Sequence, residues 1–133
     1  MPLRFDIDHT ARFVHAVADG DVVLADVQHY FHNLITQGAM PYPKLLDATR
    51  AVPRFSDDDV MELGAWASAH AIMEPRGPIA IVAVDPETTL LIRRYMNVGV
   101  GKRPIALFKT VAMARTWLDE QVGAAAPLAP SNA

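Results

Sequence analysis

The closest pair of histidines in the chain is His29 and His32, which are three residues apart. On a helix this spacing places two imidazoles on one face, an arrangement that can bind a metal ion. Both histidines point away from the apolar stripe of the predicted helix, and no third ligand lies nearby in the sequence. We therefore expect solvent-facing histidines, and neither a metal nor a cofactor.

Hydroxyl side chains lie beside a base at two places, His9-Thr10 and His70 near Ser68. Nucleophilic catalysis also needs a third group that orients the base, and neither place offers an orienting acid. The adjacent carboxylates at 57–59 fall at a predicted helix start, where negative charge stabilises the helix. The sequence therefore predicts no catalytic residue and favours a protein that binds without catalysing a reaction.

A basic cluster extends from the third predicted helix into the loop after it and consists of Arg93, Arg94, Lys102 and Arg103. The intervening Gly99-Val100-Gly101 has the glycines of a phosphate-binding loop, but it lacks the spacing of the Walker and dinucleotide-binding motifs. Two interpretations stay open, a simple turn and a small anion-binding nest.

The second predicted helix carries both a capping signal and an unusual apolar pair. Ser56 can cap the helix, and Asp59 can complete a capping box. Trp66 and Met73 fall outside the inner stripe and are expected to face outward, where large apolar side chains usually mark a contact surface. Coverage by another part of the chain is the alternative. From this pair we predict a homodimer in which the second helix takes part.

The pattern of apolar residues predicts five strands and four helices. Segments 3–8 and 11–17 alternate as a β-hairpin, and 19–21 is expected to end the strand and cap the first helix. A strand at 44–48 leads into a loop at 49–55. The continuous apolar run at 78–84 predicts a central strand, and the next helix has Leu91, Tyr95 and Val98 on its inner face.

The predicted order is β-β-α-β-α-β-α-β-α. Strands separated by helices favour a mixed, mainly parallel five-stranded sheet in an α/β fold, with the first strand antiparallel near an edge.

Composition limits the classes of protein to which the chain can belong. Its 133 residues, of which 51% are hydrophobic and 20% charged, predict one globular domain over 1–122 and a flexible Ala/Pro-rich tail over 123–133. There is no cysteine, and the net charge of −3 argues against nucleic-acid binding. No segment has the roughly 20 apolar residues of a membrane span, so we expect a cytoplasmic protein without membrane insertion.

Three local patterns resemble the anti-sigma-factor antagonist (STAS) domains: Leu45-Leu46-Asp47 before the capped helix, the strand at 79–83, and Phe108 through Trp117-Leu118. The chain is similar to the small stand-alone bacterial proteins grouped with them, whose SpoIIAA-like fold is shared with lipid-carrying CRAL-TRIO domains. STAS domains that act as phosphorylation switches place a serine at this helix start, whereas here Ser56 is followed by three aspartates.

The resemblance implies a non-enzymatic, regulatory binding module that acts through protein-protein contact. The candidate partner surface consists of Asp47, Thr49, Ser56, Asp57, Asp58, Trp66 and Met73. The alternative is a carrier of a small amphipathic or anionic ligand. A carrier needs an apolar cavity, whereas an interaction module needs an exposed patch.

Overall fold

The computed structural model describes residues 2–71, 77–99 and 104–125. Within them the chain forms five strands and four helices in the predicted order. The elements are β1 (Leu3–Asp8), β2 (Phe13–Val22), α1 (Leu24–Thr36), β3 (Lys44–Pro53), α2 (Asp57–Ala71), β4 (Ile79–Val82), α3 (Pro86–Gly99), β5 (Ile105–Phe108) and α4 (Val111–Ala125).

The five strands form one sheet in the order β1-β2-β3-β4-β5. β1 pairs with β2 antiparallel at one edge, and every other pairing is parallel. All four residues of β4 are buried, and the strand lies between β3 and β5. Residues 79–82 of the apolar run are therefore an interior strand, as predicted, because such a run needs cover on both faces. The run does not stay covered to its end, since Val84 lies beyond β4 and is 57% exposed.

Helices cover the two faces of the sheet unequally. Residues of α1, α2 and α3 pack on one face, where Tyr30, Leu34 and Leu63 join a core cluster with Val14 and Ala16 of β2. The opposite face is covered by α4, whose Ala114 and Leu118 pack against β3 and β4. An apolar cavity lies on the three-helix face.

Strands β2 and β3 are longer than the sequence predicted. Residues 19–21 do not end β2, which continues through Gly20 at φ +89° to Val22. The cap of α1 comes from inside the helix, where the Asp26 carboxylate accepts a hydrogen bond from the Val23 N–H at 2.9 Å. The predicted loop at 49–55 is also wrong, because residues 50–53 pair with 19–22 and extend β3 to Pro53.

A buried lysine fixes the segment that leads into β3. Lys44 is fully buried, and its Nζ donates to the carbonyl oxygens of Met40 at 2.5 Å and Tyr42 at 2.7 Å. The Gly77 N–H donates to the same Met40 carbonyl at 2.8 Å. Residues 40–44 and the segment before β4 are therefore held together by buried hydrogen bonds, which satisfy groups that would be costly to leave unpaired.

Candidate functional site

The start of α2 is built as the sequence predicted. The Asp59 N–H donates to Ser56 Oγ at 3.1 Å, and the Ser56 N–H donates to Asp59 Oδ2 at 3.0 Å. These two bonds form a reciprocal capping box, so the Ser56 hydroxyl already has a structural partner. STAS domains that act as phosphorylation switches have a serine at this helix start. In this chain the Ser56 side chain caps the helix.

Replacing Ser56 with alanine is expected to lower the free energy of unfolding by about 1 kcal/mol, because one N–H of the first turn loses its acceptor. Ser56→Asp should be nearly neutral, since aspartate caps a helix as well as serine does. Urea unfolding of both variants measures the difference. A large loss for Ser56→Asp would show that the side chain has a further contact that the aspartate cannot keep.

The acidic and basic clusters, which are separate in the sequence, meet in the structure. Arg94 on α3 donates to Asp57 on α2 with an N–O distance of 2.6 Å. This pair is exposed, so it aligns the two helices more than it stabilises them. Arg93 and Asp58 are exposed, whereas Lys102 and Arg103 lie outside the described residues. The Arg94 side chain of the predicted anion site is thus already paired with a carboxylate.

Asp47 and Thr49 both lie within β3, so Thr49 is not in a loop as predicted. The Asp47 carboxylate accepts hydrogen bonds from the Thr49 N–H at 3.0 Å and from Thr49 Oγ1 at 2.7 Å. Asp47 forms the last pair of β3 with β4, opposite Val82, and β3 separates from β4 beyond it. The register between β2 and β3 also shifts at this point. About 20 Å of strand separates Asp47 from Pro53, so the structure does not bring Asp47 and Thr49 to the start of α2.

Trp66 does not face outward, which corrects the prediction from the helical wheel. It is partly buried and packs against the core cluster of the three-helix face. Its ring centroid lies 5.2 Å from that of Phe31 on α1. A helical wheel of α2 contains only the residues of α2, so it does not show that α1 covers this side of the helix. Met73, the other member of the predicted pair, lies outside the described residues.

Between the sheet and the three helices lies an apolar cavity of about 130 Å³. Its walls come from β1, β3, β4, the segment before α2, and all three helices, and among the described residues that form them no side chain is charged. The lining residues are Leu3, Val27, Tyr30, Phe31, Leu46, Phe55, Val60, Leu63, Ile79, Ile81, Leu91, Ile92 and Tyr95. The lining therefore spans three strand spacings of the sheet, about 14 Å from β1 to β4.

One of the residues that line the cavity, Tyr95, carries a polar atom for which the described part of the chain offers no partner. The Tyr95 hydroxyl is buried and has no hydrogen-bond partner among the residues that the structure describes. An unsatisfied buried hydroxyl costs about 1–3 kcal/mol, so few are kept without a reason. The sequence predicted Tyr95 on the inner face of its helix. A tyrosine within an apolar stripe indicates that a hydroxyl group is buried in the core.

The two candidate metal ligands are placed apart from this cavity. His29 is exposed, and its Nε2 lies 3.2 Å from the amide nitrogen of Asn33. His32 is exposed as well. Over residues 2–71, 77–99 and 104–125, no three histidine, aspartate or glutamate side chains are grouped as a metal site. Over the same residues, no helix has the length and apolar character needed to cross a membrane.

Comparisons with known proteins identify the fold. Neither a protein-family model nor a curated protein matches the chain. A crystal structure of an uncharacterized DUF3478-family protein with a SpoIIAA-like fold, from Shewanella loihica PV-4, is similar with a TM-score of 0.55 and 16% sequence identity. The match covers 87% of this chain and 93% of that chain. The strand order, the helix order and this neighbour together show that the chain has a SpoIIAA-like α/β fold, as its resemblance to STAS domains implied.

Proposed function

We propose that this domain is a non-enzymatic binding module that holds a small apolar molecule bearing one polar group in the cavity of the three-helix face. The observation that carries the proposal is an apolar cavity lined in part by Tyr95, whose buried hydroxyl has no hydrogen-bond partner among the described residues. Binding pockets for small molecules have this character, a mostly apolar lining with a few polar groups that orient the ligand.

The cavity volume limits the size of the ligand. Apolar cavities of about 150 Å³ stay free of water and bind molecules the size of benzene. At about 130 Å³ this cavity fits on the order of six carbon atoms, less than the several hundred Å³ expected of a lipid carrier.

The lining also limits the charge of the ligand. None of the described lining side chains is ionised, so a carboxylate or ammonium group would enter without a counter-charge. A neutral hydroxyl group on the ligand avoids the cost of burying a charge, and it can form a hydrogen bond with the Tyr95 hydroxyl. Short primary alcohols are therefore suitable probes of the site.

The proposal is tested by titrating the protein with 1-hexanol and following its amide resonances by NMR. We expect shifts at Ile81, Leu91 and Tyr95. Val60→Phe places a larger side chain in the cavity from α2 and should weaken binding at least about tenfold. Met61→Phe is the matched control, because Met61 is the next residue of the same helix and is 59% exposed. Binding that Val60→Phe leaves unchanged would contradict the proposal, as would no binding to the wild type.

Protein contact through α2 is a second candidate function, and a different observation favours it. Met61 on α2 and Leu90 on α3 are 59% and 55% exposed, and the acidic residue Asp58 lies on the same helix as Met61. Exposed large apolar residues on neighbouring helices are typical of contact surfaces. Sedimentation of the wild type and of Met61→Glu distinguishes the outcomes, since a self-associating wild type and a monomeric variant would support contact through α2. A wild type that stays monomeric at high concentration would remove the homodimer.

A further inference from the structure

A second cleft lies on the opposite side of the sheet, between α4 and the turn that joins β1 to β2. Its volume is about 410 Å³, larger than that of the apolar cavity. Its walls include apolar side chains, Phe13, Pro43 and Leu118, and three charged ones, Arg12, Arg115 and Asp119. The cleft therefore combines an apolar surface with a concentration of charge that the cavity of the three-helix face lacks.

Aromatic rings hold both arginines in place. The guanidinium carbon of Arg115 lies 4.3 Å from the ring centroid of Phe13, and that of Arg12 lies 5.4 Å from the ring centroid of Tyr42. Neither arginine forms a salt bridge with any residue in the part of the chain that the structure describes. Stacking on a ring leaves the edge of a guanidinium free to donate paired hydrogen bonds to an oxyanion.

The backbone of Arg12 gives a second, independent indication. Arg12 has φ +55°, in the left-handed region that costs energy for any residue with a Cβ atom, and it ends the turn at 9–12. Glycine is the usual residue at such a position. Strain of this kind is found preferentially where a side chain has a binding role.

We propose that this cleft binds a small organic monoanion, with its carboxylate held by Arg12 and Arg115 and its apolar body packed against Pro43 and Val122. The charge of the walls selects this class of ligand. Two guanidinium groups and the Asp119 carboxylate leave one net positive charge, which complements a single negative charge. A phosphate monoester, which carries nearly two charges, would be repelled by Asp119.

This site is separate from the cavity in place and in chemistry. The described lining of the cavity has no charged side chain, whereas ligand binding in the cleft depends on the charges of Arg12 and Arg115. It also differs from the basic cluster at 93–103, where Arg94 is already paired with Asp57. A ligand of the cleft should therefore still bind when the cavity is blocked by Val60→Phe.

The test is an NMR titration with hexanoate, compared with neutral hexanamide and with hexyl phosphate. We expect hexanoate to bind most tightly, to shift the resonances of Phe13, Arg115 and Leu118, and to bind Val60→Phe as it binds the wild type. Arg115→Gln should weaken binding at least about tenfold, because a charge-assisted pair of hydrogen bonds is lost.

Two further variants separate binding from folding. Arg12→Gly should weaken binding to a similar extent while the protein unfolds at the same or a higher temperature, because glycine removes the strain of the turn. Asp119→Asn should tighten the binding of hexanoate and of hexyl phosphate. The proposal is overturned if the wild type binds no hexanoate, if hexanamide binds equally well, or if Arg115→Gln and Arg12→Gly leave the affinity unchanged.

Discussion

Gly77→Ala is expected to lower the free energy of unfolding by about 3 kcal/mol, because the added methyl group has no space to occupy. A Cβ atom built on Gly77 overlaps the carbonyl oxygens of Pro41 and Tyr42, which are backbone atoms and cannot rotate away. The same two segments are joined by backbone hydrogen bonds from the Gly77 N–H to the Met40 carbonyl and from the Lys44 N–H to the Pro78 carbonyl. Relief of the overlap would therefore break buried hydrogen bonds. Urea unfolding followed by circular dichroism measures the loss.

Gly123→Ala on α4 is the matched control. A Cβ atom at Gly123 meets no other atom within 4 Å. Alanine favours a helix over glycine by up to about 1 kcal/mol, so this variant should be as stable as the wild type or slightly more stable. If Gly77→Ala were equally harmless, the close approach of Gly77 to the segment at 40–44 would be wrong.

Trp66→Glu is expected to lower the free energy of unfolding by about 3 kcal/mol or more, since it removes a large aromatic contact and places a charge in a partly buried position. Trp66 packs with its ring 5.2 Å from that of Phe31, and this contact joins α2 to α1. Trp66→Phe keeps an aromatic ring at the position and should lose much less. Thermal and urea unfolding of the two variants give the comparison.

Met61→Glu provides the exposed control on the same helix. Because Met61 is largely exposed, its replacement should change the free energy of unfolding by less than about 0.5 kcal/mol. If Trp66→Glu folds with wild-type stability, Trp66 is a surface residue after all, and the predicted dimer contact through it stands again. Loss of stability in Trp66→Glu alone would assign Trp66 to the core.

The parts of the fold that local signals determine could be predicted from the sequence. The apolar run that contains β4 requires cover on both faces, and it lies inside the sheet. Capping signals at Ser56, Asp85 and Thr110 mark the starts of α2, α3 and α4, and each side chain accepts a hydrogen bond from a backbone N–H three residues later. A cap depends on four neighbouring residues, so no tertiary information is needed to recognise it.

The features that depend on distant residues could not be predicted. The extension of β3 to Pro53 depends on pairing with β2, some thirty residues earlier in the chain. Trp66 is partly buried because of Phe31, which a helical wheel of α2 does not contain. The cavity joins residues from Leu3 to Tyr95, and the cleft brings Arg12 near Arg115. These contacts exist only once the sheet has formed.

The Tyr95 hydroxyl offers the most direct test of ligand binding in the cavity, through urea unfolding of wild type and Tyr95→Phe with and without saturating 1-hexanol. Without the alcohol, Tyr95→Phe should be more stable than the wild type by about 1 kcal/mol, because the variant no longer buries a hydroxyl that has no partner among the described residues. With the alcohol, the wild type should gain more stability than the variant, since only the wild type can form the new hydrogen bond. A Tyr95→Phe protein that is less stable than the wild type, and that gains as much from 1-hexanol, would contradict the account.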